Sequence, residues 1–421
     1  MYWLIEDIDQ LTTFYNSSFK SAFIDVISLN DNIHPCENDI CAIYIRPIEA
    51  SKGFMIGISH NDALQVKKEW IYKILEGYNT LYCTDKKRIL HYLFHPNLED
   101  ILLPPNKLEL PDIKVYSNYY VKYKNEKNIN TFIPIVKHYE WCELVFNAVK
   151  PLIQHNKTKY NKFYNNKVSV VFNAIERAGL HINTELFTDY FHPITTNKVY
   201  TQYNLNTTTT RPSNKFNGIN YAALNRKNGE RRSFTSQNGK LVEFDVTAMH
   251  PTLASHLINY TFSDSDIHTS FATMYGVDRD KAKELTFKQL YGGVFKQYKS
   301  LPFFKRIQEY TDNTWEIFQT TGQVEAPVSG YMFHKDQLEN MTPQKLFNYI
   351  LQNLETSINS LILWDIFRIL RGKNTKVVLY TYDSILLDYD ENENLLTDIQ
   401  KTFEKRKLFI TKKTGYDYDF N

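Results

Sequence analysis

A four-residue repeat stands out in residues 279–293, RDKAKELTFKQLYGG, and its members are Arg279, Lys283, Phe287 and Tyr291. A step of four residues turns an α-helix by about 400°, so the four side chains lie on one slowly drifting stripe. A core-facing stripe would be aliphatic, and a solvated one would pair acids with bases. Cations followed by aromatic rings along one line predict a helix that binds a triphosphate at one end and a base at the other.

The bulk composition is that of a globular protein with room for two or three domains. The chain has 421 residues, of which 43% are hydrophobic and 23% charged. The aromatic content of 15% is high, and together with abundant Asn, Ile and Lys it fits an AT-rich coding sequence. Because the net charge is only +2, any surface that binds nucleic acid must be local.

The cysteines and the hydropathy of the chain predict the cellular compartment of the protein. The cysteines Cys36, Cys41, Cys83 and Cys142 form no CxxC pair and have no histidine at zinc-ligand spacing. We expect reduced, mostly buried thiols of an intracellular protein. The first ten residues, MYWLIEDIDQ, lack a signal pattern, and no apolar run approaches the ~20 residues of a membrane span. These features predict a soluble, cytoplasmic protein.

Two segments predict strands that carry carboxylates. KLVEFDV ends near Asp245 and runs into a helix in which Pro251 suits the first position. TKVVLYTYDSILLDYD predicts a hairpin with Tyr382, Asp383 and Ser384 at its turn. Either aspartate alone is more often a turn residue. Together with the basic-aromatic helix between them they predict a two-metal site, because Mg²⁺ prefers carboxylate oxygens.

The first ~140 residues alternate short apolar runs with helical stretches, which indicates an α/β domain. Residues 103–112, LPPNKLELPD, predict a surface loop within it. Residues 155–167 interleave Lys157, Lys159, Lys162 and Lys167 with three aromatic residues. Two interpretations stay open for that segment: a solvated linker, or a strip that grips a nucleic-acid backbone. After it, VSVVFNAIERAGLHIN predicts a helix that ends at Gly179.

Seven segments resemble the motifs of family A DNA polymerases, the bacterial DNA polymerase I type, in a compact phage-like form. DVTAMHPTLASH resembles the first palm motif, D-Y-S-Q-I-E-L-R-V-L-A-H, and DIHTSFATMYGV resembles the segment before the fingers helix. The repeat described above meets the fingers-helix pattern R-x3-K-x3-F-x3-Y-G. The others are TTTTRPSNKFNGIN, RRSF, LFNYILQNLE and YTYDSILLD. The resemblance covers roughly residues 168–421 well and the first 140 faintly.

The resemblance implies an α/β (α+β) fold: a right-hand polymerase palm and fingers with a reduced thumb, preceded by an exonuclease-like (RNase H-like) α/β domain. The implied domains are a degenerate 3′–5′ exonuclease-like domain (1–140), a reduced thumb (141–210), the first part of the palm (211–260), the fingers (261–330) and the second part of the palm (331–421).

The resemblance also implies a role for each matched residue. Asp245 and Asp383 would hold two Mg²⁺ ions, for which Mn²⁺ could substitute. Arg279, Lys283 and His268 would bind the triphosphate, with Lys283 counted among the catalytic residues, and Phe287 would stack on the incoming base. Tyr291 would lie by the templating position. The implied DNA-binding residues are Arg211, Asn348, Gln352 and Gly292, to which the lysines Lys157, Lys159 and Lys162 are added from the strip.

The chain departs from the family pattern at three positions of the site. The glutamate of the first palm motif, a steric gate against ribose, is His250 here. The glutamate after the second catalytic aspartate is Ser384, and the histidine before it is Tyr382. We expect His250 to act as a bulky gate. The thumb is short, with about thirty residues between AGLHIN and Arg211.

The exonuclease motifs are incomplete. That chemistry needs a D-x-E on the first strand, and FIDVISL places Ile27 two residues after Asp25. Asp85 could echo a second motif, but no Tyr-x3-Asp follows. A degenerate exonuclease fold is favoured over an unrelated domain.

These features predict a template-directed DNA polymerase that adds dNTPs to a primer 3′ end by two-metal-ion phosphoryl transfer. We expect a monomer that replicates a viral or phage genome in the cytoplasm of an infected bacterium, without proofreading. Its partners would be primer-template DNA, dNTPs and a processivity factor or replisome protein, with no membrane. Three alternatives stay open: a repair or translesion polymerase, a single-subunit RNA polymerase, and a DNA-binding pseudo-polymerase. Phe287 and His250 disfavour the second, and intact Asp245, Lys283 and Asp383 disfavour the third.

Overall fold

The computed structural model describes residues 4–420 except 8, 11, 13–19, 105–107, 109, 111–116, 156 and 264–265. Part of the acidic N-terminal stretch and most of the expected loop at 103–112 therefore lie outside the described residues. The chain divides into two compact units, Met1–Asn173 and Ala174–Asn421. The five-part division expected from the sequence stays a prediction.

The first unit alternates strands and helices. In chain order they are β1 (Ser21–Ser28), β2 (Ile40–Pro47), β3 (Phe54–Gly57), α1 (Lys68–Glu76), β4 (Thr80–Cys83), α2 (Lys86–Tyr92), β5 (Leu98–Asp100), α3 (Ser117–Tyr123), α4 (Ile135–Val149) and α5 (Lys159–Phe163), followed by a π-helical turn (Tyr164–Val168). Helix α6 (Ser169–Ala178) runs across the division and ends at Gly179, which has a positive φ of 64°. That glycine stop was predicted and is confirmed.

The sheet of the first unit has the order β3-β2-β1-β4-β5. Strands β1, β2 and β3 pair antiparallel, whereas β4 and β5 add in parallel. Alternate residues of β1 pack in two hydrophobic cores, one on each face of the sheet. Ile24 and Val26 pack with α1 and α2, whereas Phe23 and Ile27 pack with α4. Coverage of both faces explains the continuous apolar runs in these strands. This mixed sheet is the arrangement expected of an RNase H-like domain.

Asp25, the first residue of the incomplete D-x-E motif, forms an ion pair with an arginine. The Arg88 guanidinium binds its carboxylate through Nη2 and donates from Nη1 to the carbonyl oxygen of Val26 at 2.7 Å. Asp25 is only 2% exposed, so this ion pair holds a charge that burial alone would penalise. Asp85 caps the start of α2 by accepting from the backbone N–H of Arg88 at 2.9 Å.

Residues 159–167 of the lysine strip form helix α5 and most of the π-helical turn, so the interpretation of that part as a solvated linker is wrong. Lys157, Lys159 and Lys162 are exposed. Tyr160 and Tyr164 are buried, at 5% and 4% exposure. The lysines can therefore meet a phosphate backbone, but these two rings belong to the core and are not surfaces on which bases could stack.

The second unit contains the remaining elements. They are β6 (Leu180–Ile182), α7 (Thr184–Tyr190), β7 (Lys198–Val199), β8 (Tyr203–Asn204), β9 (Ser213–Asn214), β10 (Phe234–Thr235), β11 (Lys240–Val246), α8 (Met249–Leu257), α9 (Ile267–Tyr275), α10 (Arg279–Gly292), α11 (Pro302–Thr321), β12 (Gln323–Glu325), β13 (Met332–His334), α12 (Pro343–Ile369), β14 (Lys376–Thr381), β15 (Ser384–Tyr389), α13 (Leu396–Glu404) and β16 (Ile410–Gly415).

A four-stranded antiparallel sheet of order β14-β15-β11-β16 supports this unit. Helix α12, 27 residues long, packs against α8, α10, α11 and α13. Helix α8 begins at Met249, two residues earlier than predicted, so Pro251 occupies its third position. That position is tolerated because the first four N–H groups of a helix have no partner within it.

The region that carries α9, α10 and α11 has an aromatic core. Phe271 packs edge-on against Phe303 at 5.1 Å between ring centroids and stacks on Tyr275 at 5.6 Å. Phe262 and Phe304 join the same cluster. Large rings that pack edge to face fix the relative angles of these helices, because their geometry is more specific than that of aliphatic side chains.

Two further expectations concern the whole chain. All four cysteines are free thiols, and Cys41, Cys83 and Cys142 are buried, as predicted. Within the described ranges, none of the helices has the length and apolar character that crossing a bilayer requires.

The Asp25–Arg88 pair gives a stability prediction. In Arg88→Met the buried carboxylate loses its counterion, and we expect urea unfolding at pH 7 to show a loss of about 3 kcal/mol. Lys68→Met is the matched control, because it removes one partner of the exposed Lys68–Asp39 pair and should cost about 1 kcal/mol or less.

Adding Asp25→Asn to Arg88→Met should recover a large part of the loss, since no charge is then left buried. Equal losses in Arg88→Met and Lys68→Met would contradict the buried ion pair.

Candidate active site

Helix α10 separates a packing face from the stripe predicted by the sequence. Asp278 caps its start by accepting from the N–H of Lys281 at 2.9 Å. The buried side chains are Ala282, Thr286, Gln289 and Leu290. The stripe Arg279, Lys283, Phe287 and Tyr291 instead lines a pocket. The two rings of the stripe stack at 6.0 Å with an angle of 8° between their planes.

Strand pairing brings the two predicted aspartates together. Asp245 lies in β11 directly opposite Ser384 of β15, and Asp383 lies in the turn between β14 and β15. The N–H of Val246 donates to the carbonyl oxygen of Asp383 at 2.8 Å. This main-chain hydrogen bond locks the end of one strand to the tip of the hairpin. The predicted strand-end and hairpin-tip positions of the two aspartates match the structure.

Both aspartates open into one pocket of about 290 Å³ with the α10 stripe. Its other side chains include Arg211, His250, His268, Glu355 and Thr411. Carboxylates, cations and aromatic rings thus line one pocket. Such a pocket can take a ligand that has both an anionic part and a planar part.

The two carboxylates differ from ordinary aspartates in their proton affinity. The pKa of Asp383 is raised to about 6, first by loss of surrounding water and then by the negative charges of Asp245 and Glu355. The pKa of Asp245 is also raised, by burial and by Glu243. Crowded carboxylates of this kind favour a bound cation or proton. Within the described ranges, no group of three or more His, Cys, Asp or Glu side chains is arranged to hold a metal ion.

The cationic wall has two charged members and one neutral member. Arg279 donates from Nε to Asp266 at 2.7 Å, and Lys283 is exposed to the pocket. Burial, followed by the charges of Lys283 and Arg279, lowers the pKa of His268. His268 is therefore mainly neutral at pH 7 and can bind an anion as a hydrogen-bond donor.

His250 is tied to two other elements. It is 6% exposed, and its Nδ1 lies 2.5 Å from the hydroxyl of Tyr291. Its Nε2 lies 2.5 Å from Oε2 of Glu355. Burial raises the pKa of Tyr291 to about 12, so the hydroxyl keeps its proton. Because a carboxylate only accepts, Nε2 donates to Glu355, which leaves Nδ1 to the hydroxyl of Tyr291.

Arg211 and Tyr382 extend this network towards Asp383. Arg211 donates from Nε to Oε1 of Glu355 at 3.1 Å, and its guanidinium lies 3.8 Å above the ring of Tyr382. Tyr382 has a positive φ of 61°, which is uncommon for a bulky residue. The carbonyl oxygen of Tyr382 accepts from Asn359 at 2.7 Å. The hairpin tip beside Asp383 is therefore held from both sides.

Ser384 also pairs with a buried glutamate. Its hydroxyl donates to Oε1 of Glu243 at 2.9 Å, and Glu243 is 1% exposed. Glu243 precedes Asp245 by two residues in β11, so its side chain lies on the same face of the strand. The position after the second aspartate lacks its own carboxylate but has one within hydrogen-bond distance.

The remaining predicted residues of the second unit lie outside the lining of this pocket. Asn348 donates from Nδ2 to the carbonyl oxygen of Tyr291 at 3.1 Å, and Gln352 accepts from Thr209 at 3.0 Å. Gly292 is the last residue of α10, and apart from its chain neighbours and the backbone of its own helix no described atom lies within 4 Å of where its Cβ would stand. The surface beside Gly292 is open to a ligand, whereas the protein's own packing does not require glycine there.

The sequence reasoning missed Glu355. A signal for it existed, because Asn348, Gln352, Glu355 and Asn359 recur at steps of four, three and four. This spacing places four polar residues on one face of a helix that also carries many buried apolar residues. A polar stripe on a buried helix indicates a network rather than a solvated surface.

This sheet, helix and pocket belong to a polymerase-domain fold, and the fold class expected from the sequence is confirmed. A solved structure similar to the chain is the POL domain of Pol1 from M. smegmatis in complex with DNA primer-template and dNTP, with a TM-score of 0.71. The alignment covers 98% of this chain and 97% of that chain at 12% sequence identity. Identity this low establishes the fold alone. No protein-family model and no curated protein sequence matches the chain.

The carboxylate pair gives a titration prediction. In metal-free protein we expect the side-chain carboxyl carbon of Asp383 to titrate near pH 6 by NMR. Asp245→Asn should shift that midpoint to lower pH, because it removes a negative charge that favours the protonated form. Asp312→Asn, an exposed site in α11, should leave the midpoint in place. A midpoint of Asp383 that is unaffected by Asp245→Asn would show that the two carboxylates are not coupled.

Proposed function

We propose that the protein is a template-directed DNA polymerase that adds dNTPs to a primer 3′ end by two-metal-ion phosphoryl transfer. The observation that carries the proposal is the pocket that Asp245 and Asp383 line together with the α10 stripe. Its support is the polymerase-domain fold, shared with a protein whose structure contains DNA primer-template and dNTP. The proposal includes membership of family A in a compact, phage-like form.

The side chains of the pocket suit an incoming nucleotide. Lys283 and Arg279 would bind the triphosphate, and neutral His268 would donate a further hydrogen bond to it. The ring of Phe287 would stack on the base, one helical turn further along α10. Fixed cations at one end and a ring at the other match the two ends of a nucleotide, which is the reason for the four-residue repeat.

Asp245 and Asp383 fit Mg²⁺ as its protein ligands. Both supply hard oxygen donors, and Mg²⁺ is commonly held by one or two carboxylates while water and substrate phosphates complete its shell. The crowding that raises the pKa of Asp383 would be relieved by a divalent cation. When bound, the metal would stabilise negative charge on the transferring phosphoryl group.

Primer-template DNA would contact residues beyond the pocket. Arg211 lies beside Asp383 through its stack on Tyr382, which suits a contact with the primer end. Asn348 and Gln352 follow it along α12, and amide side chains can check the minor-groove acceptors that correct base pairs share. The exposed lysines Lys157, Lys159 and Lys162 of the first unit would add salt-sensitive phosphate contacts.

The proposal excludes proofreading. A 3′–5′ exonuclease needs carboxylates free to bind metal, and here the Arg88 guanidinium occupies the carboxylate of Asp25. Ile27 stands where the second carboxylate of the D-x-E would be, and it packs in the core with α4. An arginine thus supplies the positive charge that a metal would otherwise bring, so the first unit would keep the fold without the reaction.

Primer extension tests the two aspartates. Asp245→Asn and Asp383→Asn should each reduce nucleotide addition by about 10³-fold or more, since losing several kcal/mol of charge stabilisation costs about tenfold in rate per 1.4 kcal/mol. Primer-template binding should persist. Asp398→Asn, at an exposed residue of α13, is the control and should extend normally.

Extension at the wild-type rate by either pocket variant would contradict the assignment. A wild-type protein that binds DNA but adds no nucleotide would support the pseudo-polymerase, and preferential use of NTPs would support the RNA polymerase.

Degradation of a mismatched primer tests the absence of proofreading. We expect the purified protein to leave a 3′ mismatch intact over hours with Mg²⁺ or Mn²⁺ and no dNTPs, because Asp25 is already paired. The matched control is Asp25→Ala, which should behave as wild type in this assay. Metal-dependent shortening that disappears in Asp25→Ala would show that the first unit is an active nuclease.

A further inference from the structure

Glu355 is a buried carboxylate at the centre of the pocket wall. Glu355 is 1% exposed and lies in the middle of α12. Each of its oxygens has its own partner: Oε1 accepts from Nε of Arg211 at 3.1 Å, and Oε2 accepts from Nε2 of His250 at 2.5 Å. Burying a carboxylate costs free energy unless charged or strong donors surround it, and both partners line the pocket.

The contacts form a continuous chain of four side chains. The hydroxyl of Tyr291 meets Nδ1 of His250, His250 meets Glu355, and Glu355 meets Arg211. They come from α10, α8, α12 and the segment before β9. Glu355 therefore binds both the imidazole of His250, beside the nucleotide pocket, and the guanidinium of Arg211, beside Asp383.

We propose that Glu355 is a positioning residue for sugar selection, acting through His250. The inference rests on the proposed polymerase function. In the resembling family a glutamate stands at the position of His250, and here α12 supplies the carboxylate while His250 carries its effect to the pocket. The sugar gate of this chain is a pair of residues from two helices.

The geometry explains why the imidazole needs this anchor. Histidine can rotate about its ring bond, and the two nitrogens are then exchanged. Glu355 requires a donor at Nε2, which leaves Nδ1 facing Tyr291 and fixes the plane of the ring. Without a carboxylate at position 355, the His250 ring can rotate or move away from the pocket. It would then no longer exclude a 2′-hydroxyl by steric contact.

Steady-state incorporation of one nucleotide tests the proposal. The measurement is kcat/KM for a dNTP and for the matching rNTP on the same primer-template, with wild type and Glu355→Gln. We expect the dNTP-to-rNTP ratio to fall by about tenfold in Glu355→Gln, the size of discrimination that one misfitting group produces in a pocket. His250→Ala should lower the ratio at least as far.

Glu176→Gln is the matched control. Glu176 is also fully buried and accepts from the N–H of Tyr203 at 2.6 Å, but it does not line the pocket. Its substitution should leave the ratio unchanged even where it lowers stability. An equal fall of the ratio in Glu176→Gln and Glu355→Gln would mean a general effect of losing a buried carboxylate, and it would overturn the proposal.

A rescue variant separates positioning from packing. His250→Glu alone places two carboxylates against each other and should lose activity towards both sugars, because like charges in a buried site repel. His250→Glu with Glu355→Gln restores one carboxylate beside Tyr291, and we expect a ratio within about threefold of wild type. Failure of this double variant to regain selectivity, although it folds and binds DNA, would count against the proposal.

The outcomes distinguish a failure of the proposed role of Glu355 from a failure of the proposed polymerase function. If wild type adds neither dNTP nor rNTP, the polymerase function fails and the inference falls with it. If wild type selects dNTPs and Glu355→Gln selects them equally well, only the inference fails. If Glu355→Gln does not fold, Glu355→Asp, which keeps the charge but withdraws it by one methylene, carries the same expectation and the same power to refute.

Discussion

The antiparallel pairing of β11 with β15 is the interaction on which the candidate site depends. Its register sets Asp245 opposite Ser384, and the hydrogen bond from Val246 to Asp383 closes the end of the ladder. Side chains alternate faces along a strand, so a slip of one residue would turn Asp245 to the other side of the sheet. The hydrophobic residues of both strands, such as Leu241 and Leu386, pack in the core and oppose that slip.

Helix α12 connects helix α10 to the hairpin that carries Asp383. One face presents Asn348 to the carbonyl of Tyr291, Glu355 to His250, and Asn359 to the carbonyl of Tyr382. Because these three residues belong to one helix, α12 fixes the position of helix α10 relative to the hairpin turn at Asp383. A buried helix with a polar stripe serves here as a frame for a site rather than as part of a uniform core.

The sequence predicted the elements that local pattern determines. The α10 stripe, the hairpin at residues 376–389 and the helix stop at Gly179 follow from periodicity and turn chemistry, and the structure has all three. The boundary at Pro251 was wrong by two residues, since a proline is tolerated throughout the first helical turn.

What the sequence could not give was pairing between distant segments. The ion pair of Asp25 with Arg88 and the contact of Glu355 with His250 join parts of the chain that no periodicity relates. The burial of Tyr160 and Tyr164 was missed for the same reason, because an aromatic residue next to lysines has the same local pattern on a surface and in a core. These contacts depend on which elements pack together, and that is decided by the whole fold.

His250 and Ser384 stand where the resembling family has glutamates, and each is hydrogen-bonded to a buried glutamate from another strand or helix. In this chain the carboxylate near each position belongs to another element: Glu355 of α12 beside His250, and Glu243 of β11 beside Ser384. Each of these carboxylates has further partners, Arg211 for Glu355 and Tyr418 for Glu243. A comparison that scores each position separately counts two missing carboxylates, although a buried carboxylate lies within hydrogen-bond distance of both.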